Sequence, residues 1–246
     1  MERRICTLQA SLDAIEDSLR SLEVRVDDAV KSAVAQATVP AGSSSTGHGT
    51  AAARPPTGTV VKAGENATVD RLYAELNEKG VTATFIRAPK EYYDETLEFR
   101  RAVLGAPSVD CLCKSIVMEN TRVDEDACQE DPNIIKYWLV IVQYACPGAK
   151  KELLNKCVHS LQPSLSKKKV NMRVVAEDVS MELSGFGKNA VSPVGMKTKM
   201  PILMAQAVAD LEAGVFWLGG GEVDLKLGLK TADFIAAYEP VVAPLY

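Results

Sequence analysis

A stretch of small, polar and proline residues at positions 38–63 divides the chain into two parts of different character. It includes the run from Pro40 to Gly47 and holds few large apolar side chains, so it cannot bury a core of its own. This composition predicts a flexible linker that tethers the first part of the chain to the second. The fold is therefore limited to a short N-terminal segment and one globular domain, which we place at residues 64–246.

The N-terminal segment, residues 1–37, has apolar side chains at alternating spacings of three and four. Such a heptad pattern is typical of a coiled-coil helix, with Arg, Asp, Glu and Ser between the apolar positions. A lone helix with this stripe would expose it to water, so we expect it to pair with a second copy or with a different protein. The alternative is that the helix folds back onto its own domain. The stripe consists of Ile5, Leu8, Leu12, Ile15, Leu19, Leu22, Val26 and Ala29.

The overall composition is that of a globular protein. Of the 246 residues, 47% are hydrophobic and 24% charged, and the formal net charge is −4. No global basic field draws such a chain to nucleic acid, so any such contact must come from a local patch. No apolar run reaches the roughly 18 residues of a membrane span, and the N-terminus lacks a secretory signal. We therefore predict a cytoplasmic protein without membrane contact.

Cysteine and histidine offer little to a metal or cofactor. The chain has six cysteines and two histidines, and free thiols are the usual state in the cytoplasm. A zinc site from Cys111, Cys113, Cys157 and His159 is an alternative, but the usual spacing of two residues between paired cysteines is missing. We predict no metal and no cofactor, and a histidine-based mechanism has almost no candidates.

The second part of the chain mixes short helical and strand patterns without strict alternation. This mixture predicts an α+β fold around one mixed sheet. Helical patterns occupy 68–77, 97–104, 150–161, 179–183, 205–211 and 231–237. Strand patterns occupy 81–87, 114–118, 137–144, 200–204, 215–218 and 225–229, and 173–175 is ambiguous.

Lys114 opens the apolar strand that continues to Met118. A lysine in this place is commonly a solvated strand end. The functional alternative is a partly buried ammonium that holds a carbonyl or phosphate oxygen as a compact charge. The residues themselves leave both interpretations open.

Two later segments are rich in turn-forming residues. The range 185–195 contains three glycines, Asn189 and Pro193, which favours a shaped loop able to present backbone N–H groups to an oxygen. An ordinary irregular connection is the alternative. The second segment, Gly219 to Gly221, comes directly after a strand and would allow close approach of backbone to a ligand. The glycine segment does not have the spacing of a nucleotide phosphate-binding loop.

In their order and spacing, the Lys114, 185–195 and 219–226 segments resemble the YbaK family, also called the aminoacyl-tRNA synthetase-associated domain. The resemblance covers roughly residues 69–237. It implies a YbaK-like mixed β-sheet, partly barrel-like and surrounded by helices. It also implies a deacylase that acts in trans and hydrolyses the ester of mischarged tRNA. Lys114 matches the lysine on which deacylation depends in that family.

The resemblance further implies how substrate binds. In relatives, loop backbone at positions matching Asn189 to Pro193 helps to bind the aminoacyl ester, and water is activated with help from the substrate's own ribose hydroxyl or amine. Relatives commonly have glycine where this chain has Asn189 and Asp224, and serine where it has Gly219. These departures bear on which amino acid fits. The substrate-binding residues that we predict are Asn189, Ala190, Val191, Ser192, Pro193, Gly219, Gly220, Gly221 and Asp224.

A local basic patch is the candidate contact for tRNA phosphates. It consists of Lys150, Lys151, Lys167, Lys168, Lys169 and Arg173. The alternative is a solvated helix face with a charged turn after it. As partners we expect aminoacylated tRNA and, through the N-terminal helix, an aminoacyl-tRNA synthetase, a multi-synthetase complex or a second copy. The alternative function is a non-catalytic tRNA-binding or scaffold subunit of such a complex.

Overall fold

The computed structural model describes residues 57–131, 133–146 and 149–246. The predicted coiled-coil helix and the predicted linker as far as residue 56 lie outside the described residues. In chain order the strands are β1 (Thr59–Val61), β2 (Ala83–Arg87), β3 (Cys113–Asn120), β4 (Tyr137–Gln143), β5 (Met172–Val174), β6 (Ile202–Ala205), β7 (Val215–Gly219), β8 (Leu225–Lys230) and β9 (Val241–Ala243). The α-helices are α1 (Ala67–Glu78), α2 (Leu97–Leu104), α3 (Glu125–Glu130), α4 (Lys151–Leu161), α5 (Glu177–Ser184), α6 (Gln206–Ala209) and α7 (Thr231–Tyr238).

The strands form two sheets, whereas the sequence predicted one mixed sheet. The antiparallel four-stranded sheet has the order β1-β2-β8-β7, and the five-stranded sheet has the order β5-β3-β4-β6-β9. In the second sheet, β4, β6 and β9 are parallel, whereas β3 is antiparallel to β4 and β5. A single bridge between Leu112 and Trp217 links the two sheets. The predicted mixed α+β class is confirmed.

The core lies between these sheets and the helices that cover them. Strand β4 is central in its sheet and buried on both faces, and its residues from Leu139 to Val142 are fully buried. This burial explains its nearly continuous apolar sequence, since each such side chain stabilises the fold by about 1.5–3 kcal/mol. A smaller cluster, around Ile86, Leu104 and Trp217, packs α2 against the four-stranded sheet.

Local signals set the ends of the helices. The Asn66 side chain accepts hydrogen bonds from the backbone N–H groups of Thr68 and Val69, both at 3.0 Å, which starts α1. Gly105 and Gly185 end α2 and α5 in the left-handed conformation, at φ angles of 64° and 76°. These three helix ends therefore occur at residues suited to the backbone geometry required there.

The start of the domain lies earlier than the boundary predicted at residue 64. Strand β1 lies within the range assigned to the linker, and it pairs with β2 with Thr59 opposite Arg87. Val61 is buried, and its carbonyl accepts a hydrogen bond from the Tyr73 hydroxyl at 3.0 Å. These three residues are too few to show a strand pattern in the sequence, and they form a strand because they pair with the edge of β2. Within the described residues, no helix is long and apolar enough to cross a lipid bilayer.

Candidate functional site

Lys114 lies near the start of strand β3 in the five-stranded sheet. Lys114 lies opposite Val142 of β4 and is half-buried. Its ammonium nitrogen lies 5.6 Å from the centre of the Tyr144 ring, within the range of a cation–π contact. The sequence left open whether Lys114 is a solvated strand end or a partly buried ammonium. Its half-buried position agrees with the second interpretation.

A groove of about 300 Å³ runs beside the next residues of β3. Strand β5 pairs with β3 only at Met118, Glu119 and Asn120, so the earlier part of β3 keeps an uncovered edge on that side. The groove is lined by Ser115, Ile116, Val174, Glu177, Asn189 and Val191, among others. The structure therefore brings the strand that Lys114 opens and the predicted loop to one concave surface. Lys114 itself does not line the groove, but because side chains alternate along a strand it lies on the same face as Ile116, which does.

A tyrosine joins the Lys114 side of the strand to the loop. Tyr93 belongs to a short 3₁₀ helix, Lys90–Tyr93, and its hydroxyl donates to the Asn189 carbonyl at 2.8 Å. The same hydroxyl accepts a hydrogen bond from the Lys226 amine at 2.7 Å. A small separate cavity is lined by Tyr93, Tyr144, Cys113, Gly219 and Lys226, among others.

Three cations surround the tyrosines of this cavity. The guanidinium of Arg100 lies 5.3 Å and 5.6 Å from the ring centres of Tyr93 and Tyr144, and it donates to the Tyr93 carbonyl at 2.7 Å. Lys114 and Lys226 provide the other two charges. Burial raises the pKa of Tyr93 and of Tyr144, so both remain neutral phenols at physiological pH. The site can thus offer positive charge and hydroxyl donors to an electron-rich group.

Lys226 is the most perturbed group of the site. It is 3% exposed, and burial lowers its pKa to about 7, with Arg100 lowering it further and Asp224 opposing the shift. The amine also donates to the Val223 carbonyl at 2.6 Å. A lysine in this environment changes its charge near neutral pH.

Backbone contacts hold the loop against the glycine segment. The Gly221 N–H donates to the Ala190 carbonyl at 2.9 Å. A Cβ atom at Gly219 would lie 2.6 Å from the Val191 carbonyl oxygen, so no side chain fits there. Asn189 has a φ of 62°, the left-handed conformation that asparagine tolerates better than most residues. A serine side chain, which the YbaK resemblance would lead one to expect at position 219, therefore has no room here.

The other predicted substrate-binding residues are placed away from the groove surface. Ala190 and Ser192 are buried, and the Ser192 hydroxyl accepts from the Val194 N–H at 3.2 Å. Pro193 lines a different groove, beside Tyr238. Asp224 forms an ion pair with Arg87 at 2.8 Å, and the same guanidinium contacts Glu65 and Glu222. These residues support the loop and the glycine segment through their own contacts.

The predicted basic patch is exposed. Lys150 and Lys151 lie at the start of α4, and Arg173 is on β5, next to the groove-lining Val174. The three consecutive lysines form a short 3₁₀ helix, Lys167–Lys169, whose last carbonyl accepts from the Asn120 side chain at 2.9 Å. Arg173 thus lies at the β5 edge of the sheet near the groove, whereas the Lys150 N–H donates to the carbonyl of Leu245, which follows β9 at the opposite edge.

Sequence reasoning missed Tyr93, Tyr144 and Lys226. Lys226 stands between Leu225 and Leu227, which predicts a solvated lysine on an alternating strand, yet all three side chains are buried. Tyr93 lies outside the helical and strand patterns that the sequence predicts. Their proximity depends on residues more than 100 positions apart, since Lys226 and Tyr93 are 133 apart in the chain.

No family model matches this chain, and no curated protein matches its sequence. The structure resembles that of a candidate trans-editing enzyme for prolyl-tRNA synthetase, with a TM-score of 0.56 and 17% identity, over 73% of this chain and 97% of that one. It also resembles a structure from a study of epitope backbone grafting onto scaffold proteins, with a TM-score of 0.55 and 16% identity, over 73% and 97%. A hypothetical protein gives a TM-score of 0.54 at 14% identity, over 71% and 98%. This chain has the YbaK-like fold.

Proposed function

We propose that this protein is a trans-acting aminoacyl-tRNA deacylase that hydrolyses the ester of mischarged tRNA. The observation that carries the proposal is the half-buried Lys114 on β3, at the start of the strand segment that lines the groove with the loop at Asn189. The fold shared with a candidate trans-editing enzyme supports it at the level of the editing-domain fold.

In the proposed reaction, water adds to the ester carbonyl and the ribose oxygen of the tRNA leaves with a proton, which gives a free amino acid and uncharged tRNA. The Lys114 ammonium orients the ester and polarises its carbonyl, because a fixed positive charge stabilises the oxyanion more than the ground state. Backbone of the Asn189 loop cradles the aminoacyl group. The substrate's own ribose hydroxyl or amine helps to activate the water, as the YbaK resemblance implies.

The alternative function is a non-catalytic tRNA-binding or scaffold subunit of an aminoacyl-tRNA synthetase complex. One observation favours it: the tight contact of Gly219 with the Val191 carbonyl leaves no space for the hydroxyl that relatives commonly have there. The exposed lysines of the basic patch would serve either function.

The deciding experiment measures ester loss from a panel of mischarged tRNAs by the wild-type protein, by Lys114→Ala and by Lys230→Ala. Lys230 is an exposed lysine at the end of β8 and is the matched control. We expect Lys114→Ala to lower deacylation by about a hundredfold or more, the size of effect seen when a charge-stabilising group is lost. Lys230→Ala should be unchanged.

Circular dichroism and thermal melting of Lys114→Ala should match the wild type, since only then does the loss reflect chemistry. Near-normal deacylation by Lys114→Ala would overturn the role of Lys114. Tight tRNA binding with no ester loss for any member of the panel would support the scaffold alternative.

A further inference from the structure

Lys226 is a buried amine that the proposed chemistry does not use. Its neighbours Leu225 and Leu227 are fully buried, and its own exposure is 3%. Lysine is almost never buried to this degree without a partner, because removing an ammonium from water is costly. Its two hydrogen bonds, to the Tyr93 hydroxyl and to the Val223 carbonyl, are the compensation that the structure shows.

The charge of Lys226 fixes the direction of the Tyr93 hydroxyl. An ammonium has three donors and no acceptor, so Tyr93 must accept from it. The single phenol proton is then free to point to the Asn189 carbonyl, which lies 2.8 Å from the Tyr93 oxygen. Lys226, Tyr93 and Asn189 thus form a directed chain of two hydrogen bonds.

We propose that Lys226 is a positioning residue that, as an ammonium, holds the Asn189 loop in shape by directing the Tyr93 hydroxyl onto the Asn189 carbonyl. Asn189 is exposed and has a φ of 62°, a backbone conformation that needs support from its surroundings. The same amine binds the Val223 carbonyl, so one charge ties the loop to the turn after the glycine segment. The next loop carbonyl, that of Ala190, accepts the Gly221 N–H at 2.9 Å.

The charge state of Lys226 makes this support sensitive to pH. A neutral amine has a lone pair that can accept the phenol proton, so the Tyr93 hydroxyl is then no longer directed to the Asn189 carbonyl alone. Burial places the Lys226 pKa near 7. The charged and titratable groups around it are Asp224, which favours the ammonium, Arg100, which disfavours it, and the phenols of Tyr92, Tyr93 and Tyr144. Cys113 lines the same cavity, and burial raises its pKa, so it stays a thiol as Lys226 titrates.

Amide hydrogen exchange of the full chain tests the proposal without any assumption about activity. The reporters are the N–H groups of Ala190 and Gly221, which donate to the Gly187 and Ala190 carbonyls at 3.1 Å and 2.9 Å. Tyr93→Phe removes only the hydroxyl, and Lys226→Met removes only the amine. Tyr92→Phe is the matched control, because the Tyr92 hydroxyl makes no hydrogen bond within the described residues.

At pH 6 we expect both reporter amides to exchange at least about tenfold faster in Tyr93→Phe and in Lys226→Met than in the wild type, after correction for intrinsic rates. Raising the pH to 9 should shrink the difference, because the neutral amine of the wild type then competes with the Asn189 carbonyl for the Tyr93 proton. Tyr92→Phe should behave like the wild type throughout. Equal protection at pH 6 in the wild type and in both variants would overturn the proposal.

The catalytic consequence rests on the proposed deacylase function. There we expect Tyr93→Phe to lower kcat/KM about tenfold at pH 6 and the added Lys226→Met to lower it no further, because both act through one contact. If the losses of kcat/KM from the two substitutions add fully in the double variant, Lys226 does not act through Tyr93. If the wild-type protein shows no deacylation, the deacylase proposal fails, while the exchange result still decides the role of Lys226.

Discussion

Two lysines near the cavity differ in how far the protein encloses them. Lys114 is half-buried on β3 and keeps access to water, whereas Lys226 on β8 is 3% exposed. The sequence singled out Lys114 by its position before an apolar strand, and the fold gives it an aromatic neighbour in Tyr144. For Lys226 the environment alone, and not the local sequence, sets the unusual pKa.

Burial of Lys226 should make the stability of the protein depend on pH. The folded-state pKa of about 7 lies below the model-compound value of 10.5, so between these values the unfolded chain binds a proton that the folded chain lacks. The free energy of unfolding should therefore rise with pH in this window, by up to about 1.4 kcal/mol per pH unit. Urea unfolding from pH 6 to pH 10 should show this rise in the wild type.

In Lys226→Met the same rise should be absent, because no titrating amine remains. Lys230→Met removes an exposed lysine and should keep the wild-type slope. Parallel stability curves for the wild type and Lys226→Met would show that Lys226 titrates as in water.

At the scale of elements, the loop between α5 and β6 and the glycine segment after β7 act as one unit. Their backbones meet at Gly219, where a Cβ atom would lie 2.6 Å from the Val191 carbonyl oxygen, and at Gly221, whose N–H donates to the Ala190 carbonyl at 2.9 Å. The run of glycines in the sequence predicted that the backbone approaches another group closely, namely a ligand. In the structure, the group that the glycine segment approaches is the backbone of the loop at Ala190 and Val191.

Gly219→Ser, which introduces the residue that proteins of the YbaK family commonly have there, should destabilise this protein. The new Cβ would meet the Val191 carbonyl oxygen, and a backbone atom cannot move aside as a side chain can. We expect a loss of about 1–3 kcal/mol in the free energy of unfolding, as for overpacking elsewhere. Gly187→Ser is the control, since nothing lies within 4 Å of its Cβ position. Equal stability of the two variants would mean that the loop relaxes freely.

At the scale of the whole molecule, a net charge of −4 means that tRNA must be attracted locally. Changing Lys167, Lys168 and Lys169 to Gln should weaken tRNA binding and flatten its dependence on salt, by about one unit of log–log slope per lost phosphate contact. The control changes Lys62, Lys197 and Lys230 to Gln, which alters net charge equally at exposed positions. If both triple variants show the same salt slope, the three lysines are a solvated turn and the tRNA surface lies elsewhere.

The heptad pattern gives a prediction about assembly. Deleting residues 1–56, which keeps β1, should abolish oligomer or complex formation while leaving deacylation of free substrate unchanged. Leu12→Asp with Leu19→Asp should reproduce the assembly defect without truncation. Sedimentation of the intact and altered proteins, alone and with purified synthetase, measures the outcome. Identical sedimentation in every mixture would contradict a docking role for the heptad segment.

The sequence by itself determined the class of the fold and the positions of most helices and strands. Helix α2 occupies the predicted range 97–104 and ends at Gly105, because helix ends depend on local backbone preferences. Strands β1 and β9 were missed, since three residues carry too little periodicity and form only by pairing with β2 and β6. Lys114 could be found from its motif, and its role remains a prediction.

Only the tertiary structure decided which residues gather around that lysine. Tyr93 and Lys226 meet because β8 lies beside β2 and the 3₁₀ helix comes after β2, a consequence of sheet order that no local pattern encodes. The same packing turned the predicted substrate residues Ser192 and Asp224 toward contacts within the protein. Helices and short turns can be predicted locally, because the interactions that form them act between residues close together in the sequence. The site depends on long-range packing, which sets burial and charge for each side chain.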